Sequence, residues 1–117
     1  MSINTNLLKG KTALITGAVK RIGKAIACVL AQNHVNVIMH YCSSADKDVD
    51  DAINDINVPS VEIWKFQSDF SNIDNVDSFF EKIQSSIGTV DFLINNASVF
   101  SPSKLTTLSI QDLNHTL

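Results

Sequence analysis

The sequence feature that most constrains the fold is a short apolar segment that runs into a turn with two glycines and then a helical pattern. The apolar segment covers residues 12–16 (TALIT), and the glycines are Gly17 and Gly23. Apolar residues then recur at spacings of three and four, which predicts a helix over about 20–32. These residues are Ile22, Ala25, Ile26, Val29 and Leu30. A strand, a glycine turn and a helix together favour a dinucleotide-binding loop, because helix-opening amides and the helix dipole attract a pyrophosphate. The alternative is an ordinary turn with two incidental glycines.

Strands and helices alternate along the rest of the chain. Further strands are predicted at about 35–39, 61–66 and 90–94, and further helices at about 45–56, 72–86 and 109–117. Because no hairpin signal occurs and the strands are almost continuously apolar, the pattern predicts a parallel sheet covered on both faces. The predicted fold is therefore an α/β, Rossmann-type, doubly wound parallel sheet. Four polar segments, 16–23, 40–44, 69–71 and 95–98, fall at the carboxyl ends of its strands, where such sheets bind ligands.

Several local features are predicted to bound or orient the helices. Asn33-His34 is expected to end the first helix in a left-handed turn, and Gly88 to end the third. Ser43-Ser44 is expected to cap the second helix, and a capping box of Ser71 and Asp74 the third. Two apolar helix faces are predicted to point inward. They comprise Val49, Ala52, Ile53 and Ile56 in the second helix, and Ile73, Val76, Phe79, Phe80 and Ile83 in the third.

Composition excludes several classes of protein. Twelve acidic and nine basic residues give a formal charge of −3, which argues against nucleic-acid binding. No apolar run approaches the roughly 18 residues of a membrane span, and the first residues do not resemble a secretion signal. Two isolated cysteines suit neither a disulfide framework nor a zinc site, so a cytoplasmic location is expected. The acidic residues of the second helix are interpreted as a solvated face, and no histidine is assigned to metal binding or catalysis.

Two motifs resemble those of the short-chain dehydrogenase/reductase family. That family has Thr-Gly-x-x-x-Gly-x-Gly after its first strand and Asn-Asn-Ala-Gly after its fourth, where this chain has residues 16–23 and 95–98. Arg21 and Ser98 replace one glycine in each motif. Together with His40-Tyr41 and Phe100, these departures resemble the pteridine reductases and the bacterial dihydromonapterin reductases. The resemblance implies strand order 3-2-1-4 in a single domain over residues 1–117, truncated after the fourth strand and the start of the next helix.

The resemblance also implies roles for individual residues around NADPH and a pterin substrate. The residues implied for the pyrophosphate and its ribose are Gly17, Arg21, Ile22 and Gly23, and Lys20 takes the position where NADPH-preferring members often hold a base. Those implied for the 2′-phosphate are Tyr41, Cys42, Ser43 and Ser44. Asp69 and Phe70 are implied for the adenine, and Asn96, Ala97 and Ser98 for the second ribose. Arg21, Ser98 and Phe100 are implied for the substrate. Each of these residues also has a structural alternative. These alternatives are a surface arginine for Arg21, a packed loop aromatic for Phe100, buried strand-end residues for Tyr41 and Cys42, a helix cap for Asp69, and a turn residue for Asn96.

The segment after the second strand supports NADPH on physical grounds. An NAD site usually places a carboxylate there to bind the 2′-hydroxyl, but no acidic residue precedes Asp46. Hydroxyl donors at Ser43 and Ser44, with Lys20 and Arg21 expected nearby, suit a 2′-phosphate instead. The sequence therefore predicts NADPH rather than NADH.

The catalytic pair that the resemblance implies, Tyr-x-x-x-Lys, does not occur in residues 1–117. Tyr41 is the one tyrosine, and Ala45 stands four residues later. We therefore expect this chain to be an inactive cofactor half of a pterin reductase whose full-length form is a homotetramer. We also expect it to be unstable alone, since its apolar fourth strand would be an exposed sheet edge. The alternatives are a 3-oxoacyl or general carbonyl reductase of the same family, and a non-catalytic dinucleotide-binding protein.

Overall fold

The computed structural model describes residues 5–96, which form a four-stranded parallel sheet with helices on both faces. The strands are β1 (Thr12–Ile15), β2 (Asn36–Tyr41), β3 (Ile63–Gln67) and β4 (Phe92–Ile94). The helices are α1 (Thr5–Leu8), α2 (Arg21–Gln32), α3 (Asp46–Ile56) and α4 (Ile73–Ser86). The strand order β3-β2-β1-β4 confirms the predicted fold and topology. The helix predicted over 109–117 lies outside the described residues, as do Ala97, Ser98 and Phe100.

The register of the sheet brings the carboxyl ends of β1, β2 and β4 to one edge. Ile15 aligns with Met39 on one side and with Ile94 on the other. At the opposite end, the Thr12 amide donates to the Asp91 carboxylate over 2.9 Å, and the Asp91 amide donates to the Thr12 carbonyl over 2.8 Å. This pair of bonds fixes the entry of β4 against the start of β1.

Alternate residues of the strands pack into two separate layers. Ile15, Val37 and Met39 contact α2 and α3 on one face. Leu14 and Ile38 contact Phe79 and Ile83 of α4 on the other. The prediction of a sheet covered on both faces is thereby confirmed.

The fully buried face of α2 consists of small residues, and the larger Ile26 and Leu30 of the periodic set are partly buried beside it. Gly23, Ala27 and Ala31 are buried at intervals of four, whereas Ile22 and Val29 are 67% and 52% exposed. Small side chains let the helix axis approach the sheet closely. Apolar periodicity therefore predicted the helix correctly but not its closest contacts.

The inward faces of α3 and α4 were predicted with different success. In α3, Val49, Ala52 and Ile56 are buried, as predicted. In α4, Phe79 and Ile83 are buried, but Ile73 is 76% and Phe80 is 43% exposed, so their inward assignment was wrong. The strip of α4 that faces the sheet is narrower than the apolar pattern.

The helix ends correct two predicted caps. Helix α3 begins at Asp46 behind Ala45, which makes no side-chain cap, so the Ser43-Ser44 cap was wrong. Helix α4 is capped by Asn72, whose side chain accepts from the Asp74 amide over 2.9 Å, so the Ser71 cap was also wrong. His34, with φ 65°, confirms the left-handed turn after α2, and Gly88, with φ 97°, follows the end of α4.

Strand β4 forms one edge of the sheet within the described residues. Its side chains Phe92 and Leu93 are 38% and 58% exposed. The expected instability of the isolated chain stays a prediction. No described helix is long and apolar enough to cross a membrane.

Candidate dinucleotide site

The turn after β1 is bound to the end of β4 through Thr16. The Thr16 amide donates to the Ile94 carbonyl over 3.1 Å, and the Thr16 hydroxyl donates to the Asn95 side-chain oxygen over 3.2 Å. The same hydroxyl oxygen accepts from the Asn96 amide over 2.9 Å. The first and fourth strands therefore present their polar ends as one unit.

Glycine suits positions 17 and 23 of this turn for different reasons, backbone conformation at Gly17 and lack of space at Gly23. Gly17 has φ 62°, a conformation that glycine adopts readily. A Cβ on Gly23 would collide with the Gly17 carbonyl oxygen and lie 2.8 Å from Asn96 Nδ2 and 2.9 Å from the Ala18 Cα. These contacts show that Gly23 permits close packing at the start of α2.

Two bases stand at the N-terminus of α2. Lys20 is the N-cap residue, and its ammonium group has no acceptor with which to cap the helix. Arg21 is exposed and has φ 56°, which is uncommon for any residue other than glycine. Cations are unfavourable at a helix N-terminus unless an anion is also present. Helix α2 has no acidic residue in its first turn, so its opening amides and these bases together suit an external anion.

The predicted 2′-phosphate residues divide between the core and the surface. Tyr41 is buried among core residues of α2 and α3, whereas Cys42 and Ser43 are exposed and Ser44 is half-buried. Lys20 lies close to the helix that follows this segment, because its Nζ is 3.8 Å from Asp48 Oδ2 in the first turn of α3. The structure therefore brings Lys20 to the first turn of α3.

The segment after β3 forms one side of an open cleft of about 290 Å³. Asp69, Cys42 and Lys82 contribute to its lining, together with the ring of Phe79. Asp69 is exposed, and one of its carboxylate oxygens accepts from the Ser71 amide over 3.0 Å. The pKa of the Cys42 thiol is raised by burial and by the Asp69 charge, which keeps the thiol protonated.

Sequence reasoning assigned no site role to His40, which connects the turn after β1 to the segment after β3. Its Nδ1 accepts from the Gly17 amide over 3.1 Å, and its Nε2 donates to the Ser68 carbonyl over 2.8 Å. Its ring stacks on Phe70 with centroids 4.0 Å apart. Burial lowers the pKa of His40, and the hydrogen bond to Ser68 raises it by less. The one available signal was a histidine inside an otherwise apolar strand.

No group of three or more potential metal ligands occurs among residues 5–96. The groups around the turn after β1 are mainly glycines, backbone amides, hydroxyls and bases. This composition suits a phosphate-bearing ligand.

Comparison with known proteins decides the family. The sequence pattern of the short chain dehydrogenases matches residues 11–117. The chain belongs to the short-chain dehydrogenase/reductase family. Among curated relatives, the 3-oxoacyl-[acyl-carrier-protein] reductase FabG of Staphylococcus epidermidis is 33% identical over 102 residues, or 87% of this chain. The 2-dehydro-3-deoxy-D-gluconate 5-dehydrogenase of Formosa agariphila is 30% identical over 112 residues, or 96% of this chain.

Solved structures of the family superpose on most of the chain. A short-chain dehydrogenase from Burkholderia cenocepacia in complex with NADP is 30% identical, with a TM-score of 0.76, over 93% of this chain and 44% of its own. YwfH, an NADPH-dependent reductase of bacilysin biosynthesis, is 30% identical, with a TM-score of 0.74, over 91% of this chain and 42% of its own. This chain spans about two fifths (41%) of the length of the Staphylococcus relative.

Proposed function

We propose that this chain carries the cofactor site of an NADPH-dependent oxidoreductase. The observation that carries the proposal is the position of Lys20, whose ammonium lies 3.8 Å from Asp48 in the first turn of α3, the helix that comes after the residues that follow β2. Those residues, Cys42, Ser43 and Ser44, offer hydroxyls and no carboxylate. A phosphate ester is bound well by an ammonium group and hydroxyl donors, whereas a 2′-hydroxyl is usually bound by a carboxylate.

The acidic residues that do occur nearby belong to the next helix. Asp46 and Asp48 lie in the first turn of α3, where carboxylates are favoured by the helix dipole, and Asp48 is paired with Lys20. They therefore have a structural explanation that does not require a ribose hydroxyl. The Burkholderia structure with bound NADP and the NADPH-dependent YwfH also support this choice of cofactor.

We propose a pterin as the substrate, reduced by hydride transfer from the nicotinamide. The support is Arg21, an exposed arginine that keeps φ 56° at a position where glycine would relieve the backbone strain. A planar guanidinium offers a fork of donors and stacks on flat rings, which suits a pterin heterocycle. The roles of Ser98 and Phe100 at this substrate remain part of the proposal.

A 3-oxoacyl thioester is a second candidate substrate, favoured by the name of the Staphylococcus relative. Binding without turnover is a third possibility for residues 1–117 themselves, because they contain no Tyr-x-x-x-Lys pair. We therefore assign the activity to a polypeptide that also includes this pair, and cofactor binding to the chain described here.

A direct titration of the chain with NADPH and with NADH tests the cofactor. We expect NADPH to bind at least about tenfold more tightly, because one charge-assisted contact to the phosphate contributes about 1.5–3 kcal/mol. Calorimetry at fixed ionic strength supplies both dissociation constants. Equal affinities would refute the proposed cofactor preference.

Substrate choice requires the longest in-frame product that contains residues 1–117. NADPH oxidation is followed with dihydrobiopterin, dihydromonapterin and an acetoacetyl thioester as separate substrates. A pterin reductase should lose pterin turnover in the Arg21→Gly variant while its NADPH affinity falls less. Turnover of the thioester alone would establish the second candidate, and the size of this product in solution would test the expected homotetramer.

A further inference from the structure

We propose that His40 is a positioning residue that holds the Gly17 turn in the conformation that binds the dinucleotide. The inference rests on the proposed function, because the Gly17 turn is where that function places the pyrophosphate. His40 itself lies within β2 and is 2% exposed. It therefore acts through the turn and not through contact with the ligand.

The hydrogen-bond partners of His40 determine which form of the imidazole fits. The Gly17 amide is a donor, so Nδ1 must accept, and the Ser68 carbonyl is an acceptor, so Nε2 must donate. Only the neutral ring with its proton on Nε2 meets both requirements. An imidazolium would direct a second N–H at the Gly17 amide, and this bond would be replaced by a repulsive contact.

The surroundings of His40 favour the neutral ring. Gly17 and Ala18 face it from the turn after β1, Ser68 and Phe70 from the segment after β3, and Phe79 from α4. All five of these residues are uncharged. Among the titratable residues next to these segments, Tyr41 is buried, while Cys42 and Asp69 are exposed, and none of the three is among the causes that shift the pKa of His40. Burial therefore opposes protonation without a nearby carboxylate to offset it.

The backbone of the turn depends on His40 at two points. Besides the bond from Gly17 to Nδ1, the Ala18 amide donates to the His40 carbonyl over 2.9 Å. Gly17, with φ 62°, can adopt many other conformations once its amide is released. The bond to Ser68 and the stack on Phe70 extend the same constraint to the segment proposed for the adenine. Loss of the neutral ring should therefore weaken binding at both ends of the adenosine diphosphate moiety.

The test is the dissociation constant of NADH and of NADPH for the whole chain between about pH 8 and pH 5. If only the neutral ring supports binding, the constant rises about tenfold per pH unit below the pKa of His40 in the free chain. His40→Gln supplies an acceptor and a donor that do not titrate, so its pH profile should be flat by comparison. His40→Phe keeps the aromatic stack but leaves the Gly17 amide without an acceptor, so it should bind weakly at every pH. NADH has no 2′-phosphate, and its profile therefore excludes titration of that group.

Far-UV circular dichroism at each pH restricts the comparison to folded protein. Since the variants could fail to fold, the pKa of His40 in the natural chain is also measured by NMR with and without NADPH. Preferential binding to the neutral ring requires this pKa to fall when NADPH is added. A pKa that stays constant or rises, or equal NADH profiles for the natural chain and His40→Gln, would overturn the role of His40 while NADPH binding at pH 8 persists. Absence of NADPH binding at pH 8 would instead overturn the proposed function, and this inference with it.

Discussion

Asn96 donates a hydrogen bond from its side-chain amide to the carbonyl oxygen of Gly17 over 3.1 Å, although 79 residues separate the two in sequence. The Asn96 backbone amide donates to Thr16 over 2.9 Å, so one residue after β4 holds two consecutive residues after β1. The same side-chain nitrogen lies where a Cβ on Gly23 would press. The asparagine and the second glycine of the motif therefore have a common structural role.

Replacing Asn96 by Asp should destabilise the fold and weaken NADPH binding. The change removes the donor and places a carboxylate oxygen against the Gly17 carbonyl, which leaves acceptors unpaired at a cost of about 1–3 kcal/mol. Urea unfolding measures the free energy, with Asn54→Asp on the exposed face of α3 as the matched control. Equal free energies of unfolding for the two variants would contradict the prediction.

Gly23→Ala should also destabilise the chain, although alanine is the better helix former. The gain in helix propensity is about 1 kcal/mol, whereas the new Cβ would press on the backbone of Gly17 and Ala18 and on Asn96. Overpacking against backbone atoms costs about 1–3 kcal/mol or more, so we expect a net loss. Ala25→Ser, at an exposed position of the same helix, should change the free energy of unfolding by less than about 0.5 kcal/mol. A neutral Gly23→Ala variant would show that the turn can move aside.

Arg21→Gly should raise stability while it lowers ligand affinity. A left-handed conformation costs about 1–2 kcal/mol for a residue with a Cβ, and this exceeds the entropic penalty of glycine. Arg21→Ala keeps the strain and loses the charge, so it should bind NADPH as weakly as the glycine variant without gaining stability. Thermal unfolding and NADPH titration of both variants separate the two effects. The prediction fails if alanine and glycine give the same melting temperature.

Lys20→Ala should reduce NADPH affinity about tenfold and leave NADH affinity nearly unchanged, because the lost contact is to the 2′-phosphate alone. Its surface pair with Asp48 is worth less than about 1 kcal/mol, so the melting temperature should hardly move. Asp48→Asn removes a competitor for the ammonium and should raise the ratio of NADPH to NADH affinity. Lys24→Ala, one turn further along α2, is the control. A parallel loss of both cofactors in Lys20→Ala would place this lysine elsewhere in the site.

Stability should decline on mild acidification because of His40. Its pKa in the folded chain is lowered by burial below the ordinary value of 6.5, so the unfolded chain takes up the proton first. The contribution of His40 is therefore complete above pH 6.5 and is lost as the pH falls from there to the folded-state pKa. Urea unfolding across this range should show a pH slope that His40→Gln lacks. Identical slopes would mean that other groups cause the acid sensitivity.

Much of the fold was predictable because its strands and turns have strong local signals. The β-branched and apolar strands, the glycines of the turn and the polar residues after each strand suffice to predict the parallel sheet. The left-handed conformation of His34 was equally accessible, because histidine tolerates it and ends a periodic segment there.

The predictions that failed depend on the positions of elements relative to one another. Ile73 and Phe80 belong to the apolar pattern of α4, but packing against the sheet decides which strip of the helix is buried. The cap of α4 is Asn72 and not the predicted Ser71, because both side chains can cap a helix and the length of the preceding loop decides which of them does so. The role of His40 depends on Gly17 and Ser68, which lie 23 residues before it and 28 after it. Spacing within a single motif contains no information about such contacts.

The hydrogen bond between Asn96 and Gly17 also determines when the Gly17 turn can reach its final conformation during synthesis. Its two partners leave the ribosome far apart in time, because three strands and three helices of the described residues lie between them in sequence. A nascent chain that has only β1 and α2 outside the exit tunnel therefore contains the Gly17 turn but not yet Asn96, which donates hydrogen bonds to it. With the cofactor bound at this turn as proposed, NADPH would stabilise the folded chain only after residue 96 has emerged.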